Sequence, residues 1–209
     1  MKKCMLSLLL CGIMLAGFAQ SDKYVAVMQK NISSLDAAKT AGELQDVAAS
    51  FERVGDAEKT QWLPYYYAAL AQTWIGWMPD VKDKDANAEK IKIYLSKAEA
   101  IEKNAELYAV ENMMATQQMM VDPQTRWQTN GMQAGAALQA GLKLDPNNPR
   151  LCYLQGESLF GTPVQFGGGK DKAKPVFEKA IVLFKAAQPK PLYPTWGQKQ
   201  AEEKLAQCQ

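Results

Sequence analysis

The stretch Gly141-Leu142-Lys143-Leu144-Asp145-Pro146-Asn147-Asn148-Pro149 decides the fold. Its first four residues continue the apolar spacing of a helix that starts near Gln128, and the run from Asp145 to Pro149 ends that helix. Proline has no backbone N–H and pushes the residue before it out of the α region, so this run cannot lie inside a helix. A further helix, Arg150 to Phe160, follows at once. Proline and glycine punctuation of this kind, with short connections, is what antiparallel helical neighbours use.

The same organisation extends outward in both directions. Beyond residue 19 no stretch sustains the period-2 alternation of a half-buried strand, whereas several show the i, i+3, i+4, i+7 spacing of an amphipathic helix. Tyr24, Val27, Met28 and Leu35 predict a first helix, and Leu44, Val47, Phe51 and Val54 a second that stops near Gly55. A third begins around Thr60, in the capping position, and runs through Trp62-Leu63-Pro64 to about Trp77, where Met78-Pro79-Asp80 closes it. Pro64 is tolerated because it falls in the first turn. After a charged loop, Ile91, Leu95, Ala98 and Ile101 stripe a helix from Ala88 to Lys103. Ala105 to Val121 follows, with a break at Asp122-Pro123 before Gln128 to Leu144. Beyond Phe160 come a loop through Pro163 and Gly167-Gly168-Gly169, the helix Asp171 to Ala187, and a short helix Trp196 to Gln207 after Pro189, Pro191 and Pro194. The chain is predicted to be all-α.

Three segments repeat. Ala98-Glu99-Ala100-Ile101-Glu102-Lys103-Asn104, Gly141-Leu142-Lys143-Leu144-Asp145-Pro146-Asn147 and Ala180-Ile181-Val182-Leu183 recur roughly every forty residues. Gly141 to Pro149, followed by Tyr153, Gly156 and Leu159 and then by Ala173, Phe177 and Ala180, resembles the tetratricopeptide repeat (TPR), in which small residues let paired helices approach and a proline ends the second. The resemblance spans roughly residues 60–188. The Pro163–Gly169 loop stands as an insertion between the two helices of the clearest copy.

This resemblance implies antiparallel helix pairs stacked as a short right-handed TPR-like solenoid. Residues 20–209 would form one domain: an N-terminal helical pair over 20–59, repeats over 60–104, 105–148 and 149–188, and a C-terminal capping helix within 189–209. Stacking has to supply the core, because one repeat cannot bury its own apolar face. In the family the first helix of each repeat lines a concave groove. Carried over by position, the groove residues are Trp62 and Tyr65, then Ala109, Met113 and Gln117, then Tyr153, Glu157 and Phe160. The implied role is a non-catalytic scaffold of the bacterial cell envelope that holds an unidentified protein or peptide.

Other features are weighed against that reading. The cluster Trp62, Tyr65, Tyr66, Tyr67, Trp74 and Trp77 serves either as packing or as a ligand platform. Neighbouring helical residues point about 100° apart, so the three consecutive tyrosines are not expected to face one core, and Tyr65 is expected on a third side. Exposed rings of this kind carry the alternative reading, a carbohydrate-binding or carbohydrate-processing helical protein. The pairs Met113-Met114 and Met119-Met120 read mainly as core filler, with an adaptable binding surface as the second reading. Gly167-Gly168-Gly169-Lys170 does not complete a phosphate-loop motif, since Val164 and Asp171 stand where Gly and Ser/Thr are required.

The N-terminus reads as a signal peptide. Lys2 and Lys3 precede an apolar run from Met5 to Leu15 that is too short to span a bilayer, and Gly17-Phe18-Ala19 predicts cleavage after Ala19. The product would be periplasmic or secreted, with no membrane span. Loss of residues 1–19 removes two lysines and no acid, so the net charge falls from +2 to zero, which argues against a nucleic-acid partner. It also leaves Cys152 and Cys208, either as one disulfide or as two reduced thiols. The chain has no histidine, which excludes Ser-His-Asp and Cys-His triads and His-bearing metal sites. No paired carboxylates, cofactor motif or metal ligand set stands out, so no enzyme activity and no cofactor are expected.

Overall fold

The computed structural model describes residues 22–209; the signal segment expected over residues 1–19 lies outside them. The fold is all-α, and no strand occurs among the described residues. Its helices are α1 (Asp22–Ala37), α2 (Ala41–Glu58), α3 (Leu63–Trp77), α4 (Lys84–Glu99), α5 (Ala105–Met119), α6 (Pro123–Arg126), α7 (Met132–Leu144), α8 (Pro149–Gly161), α9 (Lys170–Ala186) and α10 (Gln198–Ala206). A π-helical turn, Trp127–Gly131, joins α6 to α7, and a 3-10 turn, Val164–Phe166, lies between α8 and α9.

At the decisive corner, Asp145 accepts a hydrogen bond from the Asn147 N–H. The Asn148 side chain then caps α8 by accepting from the Arg150 and Leu151 N–H groups, with Pro149 as the first helical residue. Thr40 and Glu43 form a reciprocal capping box on α2. Asp83 and Asn104 cap α4 and α5. The Asp83 cap explains why α4 starts at Lys84, four residues before the expected start at Ala88. Thr60 does not cap α3: its hydroxyl donates to the Glu58 carbonyl, and α3 begins after Trp62 with no side-chain cap.

α3 sits at the centre, packed against α1, α2, α4 and α5. Its whole surface from Leu63 to Thr73 is therefore buried, and all three consecutive tyrosines are inside. They do point apart, but each direction meets a partner. Tyr65 donates to Asp56 over Gly55, Tyr66 accepts from the Trp196 indole, and Tyr67 stacks on Phe51 and donates to the Leu192 carbonyl. The segment between α9 and α10 thus closes over one end of α3. α8 and α9 come close because Gly156 carries no side chain; a Cβ there would lie 2.5 Å from the Phe177 ring.

Candidate functional site: an apolar face at the ends of α3 and α5

The groove residues carried over from the repeat do not share a surface. Trp62, Tyr65, Ala109, Met113 and Gln117 are buried, and of these only Trp62 and Gln117 border a concavity, each a different one. The reason is that α3 and α5 are interior helices covered on several sides. Tyr153, Glu157 and Phe160 are half-buried where α8 meets α9 and α10: Glu157 pairs with Lys204, and Tyr153 and Phe160 pack against Phe177. Cys152 and Cys208 are buried free thiols in separate apolar clusters. Burial pushes the Cys152 thiol's pKa up, which keeps it protonated.

Apolar surface collects elsewhere. Half of the large apolar side chains exposed among the described residues come from one region: Trp77 (48%), Met120 (58%), Val121, Trp127 (59%) and Met132 (64%). Trp77, Met120 and Val121 line a shallow cleft of about 80 Å³ with Gly76, Lys84 and Gln117. The preceding residue, Met119, lies with Trp127 against Gly131: a Cβ on that glycine would be 3.0 Å from the Met119 Sδ and 2.7 Å from the indole. The end of α5 therefore lies beside both exposed tryptophans, Trp77 sharing the cleft with Met120 and Trp127 meeting Gly131 next to Met119. Exposed apolar patches rimmed by polar groups mark interaction sites, and methionine adapts to flat ligands.

Buried amides hold this face in place. Gln117 donates to the Thr73 carbonyl and lies so close over Gly76 that a β-carbon there would strike its side-chain oxygen. Gln72 and Asn87 exchange hydrogen bonds behind it, and Lys84 donates to the Gly76 and Met78 carbonyls. On the other flank, Arg126 uses only Nη1 to reach Asp85 at 2.8 Å and the Gln118 carbonyl at 3.2 Å. Hydrogen bonds from Arg126 and Gln118 hold the Asp85 carboxyl below the usual range. The π turn is a local departure from α geometry of the kind common at functional sites, and it carries Trp127 with its ring exposed.

A second concavity, of about 690 Å³, opens between the starts of α5 and α8 and the 187–195 segment. Its aromatic walls are largely engaged: Trp62 packs edge-on against both Tyr66 and Tyr193. Glu102, Glu106 and Asp145 line it together with Lys103, Arg150 and Lys190, and Glu106 and Arg150 are spent on one another.

Of the exposed face, the sequence had marked Trp77 and the Met119-Met120 pair. Trp127 was missed because a π turn leaves no periodic signal, and Met132, the first residue of α7, because it stands outside that helix's apolar stripe.

The fold and this face define an all-helical protein that presents a braced, tryptophan- and methionine-rich surface flanked by cationic side chains. The chain is similar to the solved structure of the HusA haemophore from Porphyromonas gingivalis, with 36% sequence identity and a TM-score of 0.82 over 90% of this chain and 94% of that one. At that identity and coverage, this chain belongs to the HusA family. No family model matches the chain, and neither does any curated protein. The kinship corrects two expectations, the protein- or peptide-binding TPR scaffold and the carbohydrate-binding alternative, since the relative is a haemophore. The correction has a physical reason: helix pairs ended by proline describe a scaffold, and a scaffold does not choose its ligand.

Proposed function

We propose that this protein is a non-catalytic porphyrin carrier that binds haem against the Trp77–Met120–Trp127 face. The observation that carries the reading is the likeness to a haemophore over nearly the whole chain. The face suits the ligand chemically. A porphyrin is a flat apolar ring with two carboxylates at one edge, and indoles and thioethers supply stacking surface. Lys84 and Arg126 flank the face; to meet the carboxylates Lys84 would share its ammonium with the Gly76 and Met78 carbonyls, and Arg126 its guanidinium with Asp85. With no histidine in the chain, ring contacts supply the affinity, and Met120 and Met132 are the exposed methionines whose thioethers are open to iron. We read the helix pairs beneath the face as a degenerate TPR-like stack, supported by the close approaches at Gly141 and Gly156. The carrier works outside the cytoplasm, in keeping with the export signal expected over residues 1–19 and with its haemophore relative.

Haem titration followed by Soret absorbance tests this. Wild type is expected to bind, Trp77→Ala/Trp127→Ala to bind at least about tenfold more weakly, and Tyr193→Ala, in the larger concavity, to match wild type. Equal binding by wild type and the double tryptophan variant would overturn the site, and no binding by wild type would overturn the function.

A further inference from the structure

Val164 and Phe166 are the most exposed large apolar side chains among the described residues, at 77% and 76%. They sit on the turn between α8 and α9, away in sequence from the residues of the porphyrin face. Their exposure is built in. The Gly169 N–H donates to the Leu159 carbonyl at 2.8 Å, the Phe166 N–H to the Pro163 carbonyl at 2.9 Å, and the Gly167 N–H to the Val164 carbonyl at 3.0 Å. Gly167 and Gly169 take positive φ angles of 86° and 103°, which close the turn in a conformation that L side chains rarely adopt. A turn braced in this way holds both apolar side chains outward.

Lys170, Lys172 and Lys174 follow on the first turns of α9, all exposed, with Asp171 the one acid among them. The tip is therefore a small convex apolar wedge backed by positive charge. Two side chains cover far less than the roughly 800 Å² per partner that a stable protein interface needs. A bilayer needs no complementary shape. It accepts a projecting apolar tip at the headgroup boundary, and anionic lipids reward each nearby lysine.

We propose that the Val164–Phe166 turn is a reversible membrane-surface anchor, inserting its two side chains into an anionic bilayer while Lys170, Lys172 and Lys174 meet the headgroups. The anchor is independent of the porphyrin face. It positions the carrier at a lipid surface without a membrane-spanning helix, and no helix among the described residues is long and apolar enough to span one.

Co-sedimentation with vesicles of phosphatidylcholine, with and without about a third phosphatidylglycerol, tests the anchor. Wild type, Val164→Ser/Phe166→Ser and Lys172→Glu/Lys174→Glu are compared on a common N-terminus, so any contribution from residues 1–21 cancels. Wild type should partition onto the anionic vesicles about tenfold or more better than onto the neutral ones. Each double variant should lose about tenfold of the anionic partition. Phe166→Trp should show blue-shifted emission only with anionic vesicles. Failure of wild type to bind anionic vesicles, or unchanged partition of Val164→Ser/Phe166→Ser, would overturn the proposal and leave the tip to a protein partner. Haem binding is expected to be the same in all variants, so this outcome is separate from that of the carrier reading.

Discussion

Arg150 is buried with Glu106 and spends its guanidinium on the fold. Its Nε and Nη2 donate to the two Glu106 oxygens at 2.6 Å, and its Nη1 donates to the Pro194 carbonyl at 3.0 Å. Asn148, the cap of α8, adds a third hydrogen bond to the same carboxylate. One side chain thus ties α8 to α5 and to the segment that covers α3. Burial opposes the guanidinium's charge, but the hydrogen bonds and charge of Glu106 outweigh it, and the pKa of Arg150 is raised. Removing one partner of such a pair leaves the other charge buried and unpaired. Arg150→Met is expected to lose about 3–5 kcal/mol in urea unfolding, and Glu106→Gln added to it to recover part of that loss. A loss below about 1 kcal/mol, within the range of an exposed pair, would contradict this. The sequence placed Arg150 at the start of a helix, but nothing local announced its partner, Glu106, which lies at the start of α5.

At the scale of elements, α10 is fastened to α8 through Lys204 and Glu157 at 3.2 Å, with the ammonium also over the Phe160 ring at 4.9 Å. Burial pushes the Glu157 carboxyl's pKa above its ordinary value, and Lys204 offsets only part of that. Below the unfolded carboxyl pKa of 4.5 the group is neutral in both states and costs nothing. As pH rises from there through the raised folded value, the charged form is disfavoured in the fold and stability falls. Lys204→Met removes the compensation, so it should destabilise more at pH 7.5 than at pH 4. The difference should be about 1 kcal/mol, discounted because both side chains are part-exposed. Thermal unfolding at the two pH values measures it; equal losses would mean that the ring contact alone matters.

The elements themselves were legible. The punctuation at Pro79, Pro123, Pro146 and Pro149 and the apolar stripes located the longer helices to within about four residues, with α4 shifted to Lys84–Glu99 by the Asp83 cap; the short α6, Pro123–Arg126, was read as a break. What the sequence concealed was which helices lie inside. The repeat template leaves one side of each first helix open, whereas α3 and α5 are enclosed, and that turns Trp62, Tyr65 and Met113 from groove into core. The face that is open depends on the π turn, where a change of helical pitch exposes Trp127 without any change in composition.

At the scale of the whole molecule, buried polar networks hold the ends of α3 and α5 so that apolar side chains remain in solvent, an arrangement retained at a cost in stability. A carrier has to release what it binds, and a shallow face with no imidazole ligand suits that role. On the proposed reading, in which ring contacts rather than the iron supply the affinity, iron-free porphyrin should occupy the same face. The most direct measurement is the indole N–H spectrum of the protein titrated with free-base protoporphyrin, which is diamagnetic. The chain has five tryptophans, and each gives its own indole signal. The account predicts that the Trp77 and Trp127 signals shift with saturation while those of Trp62 and Trp196 stay in place. Shifts at Trp62 and Trp196 instead, or no shift at any of the five, would contradict it.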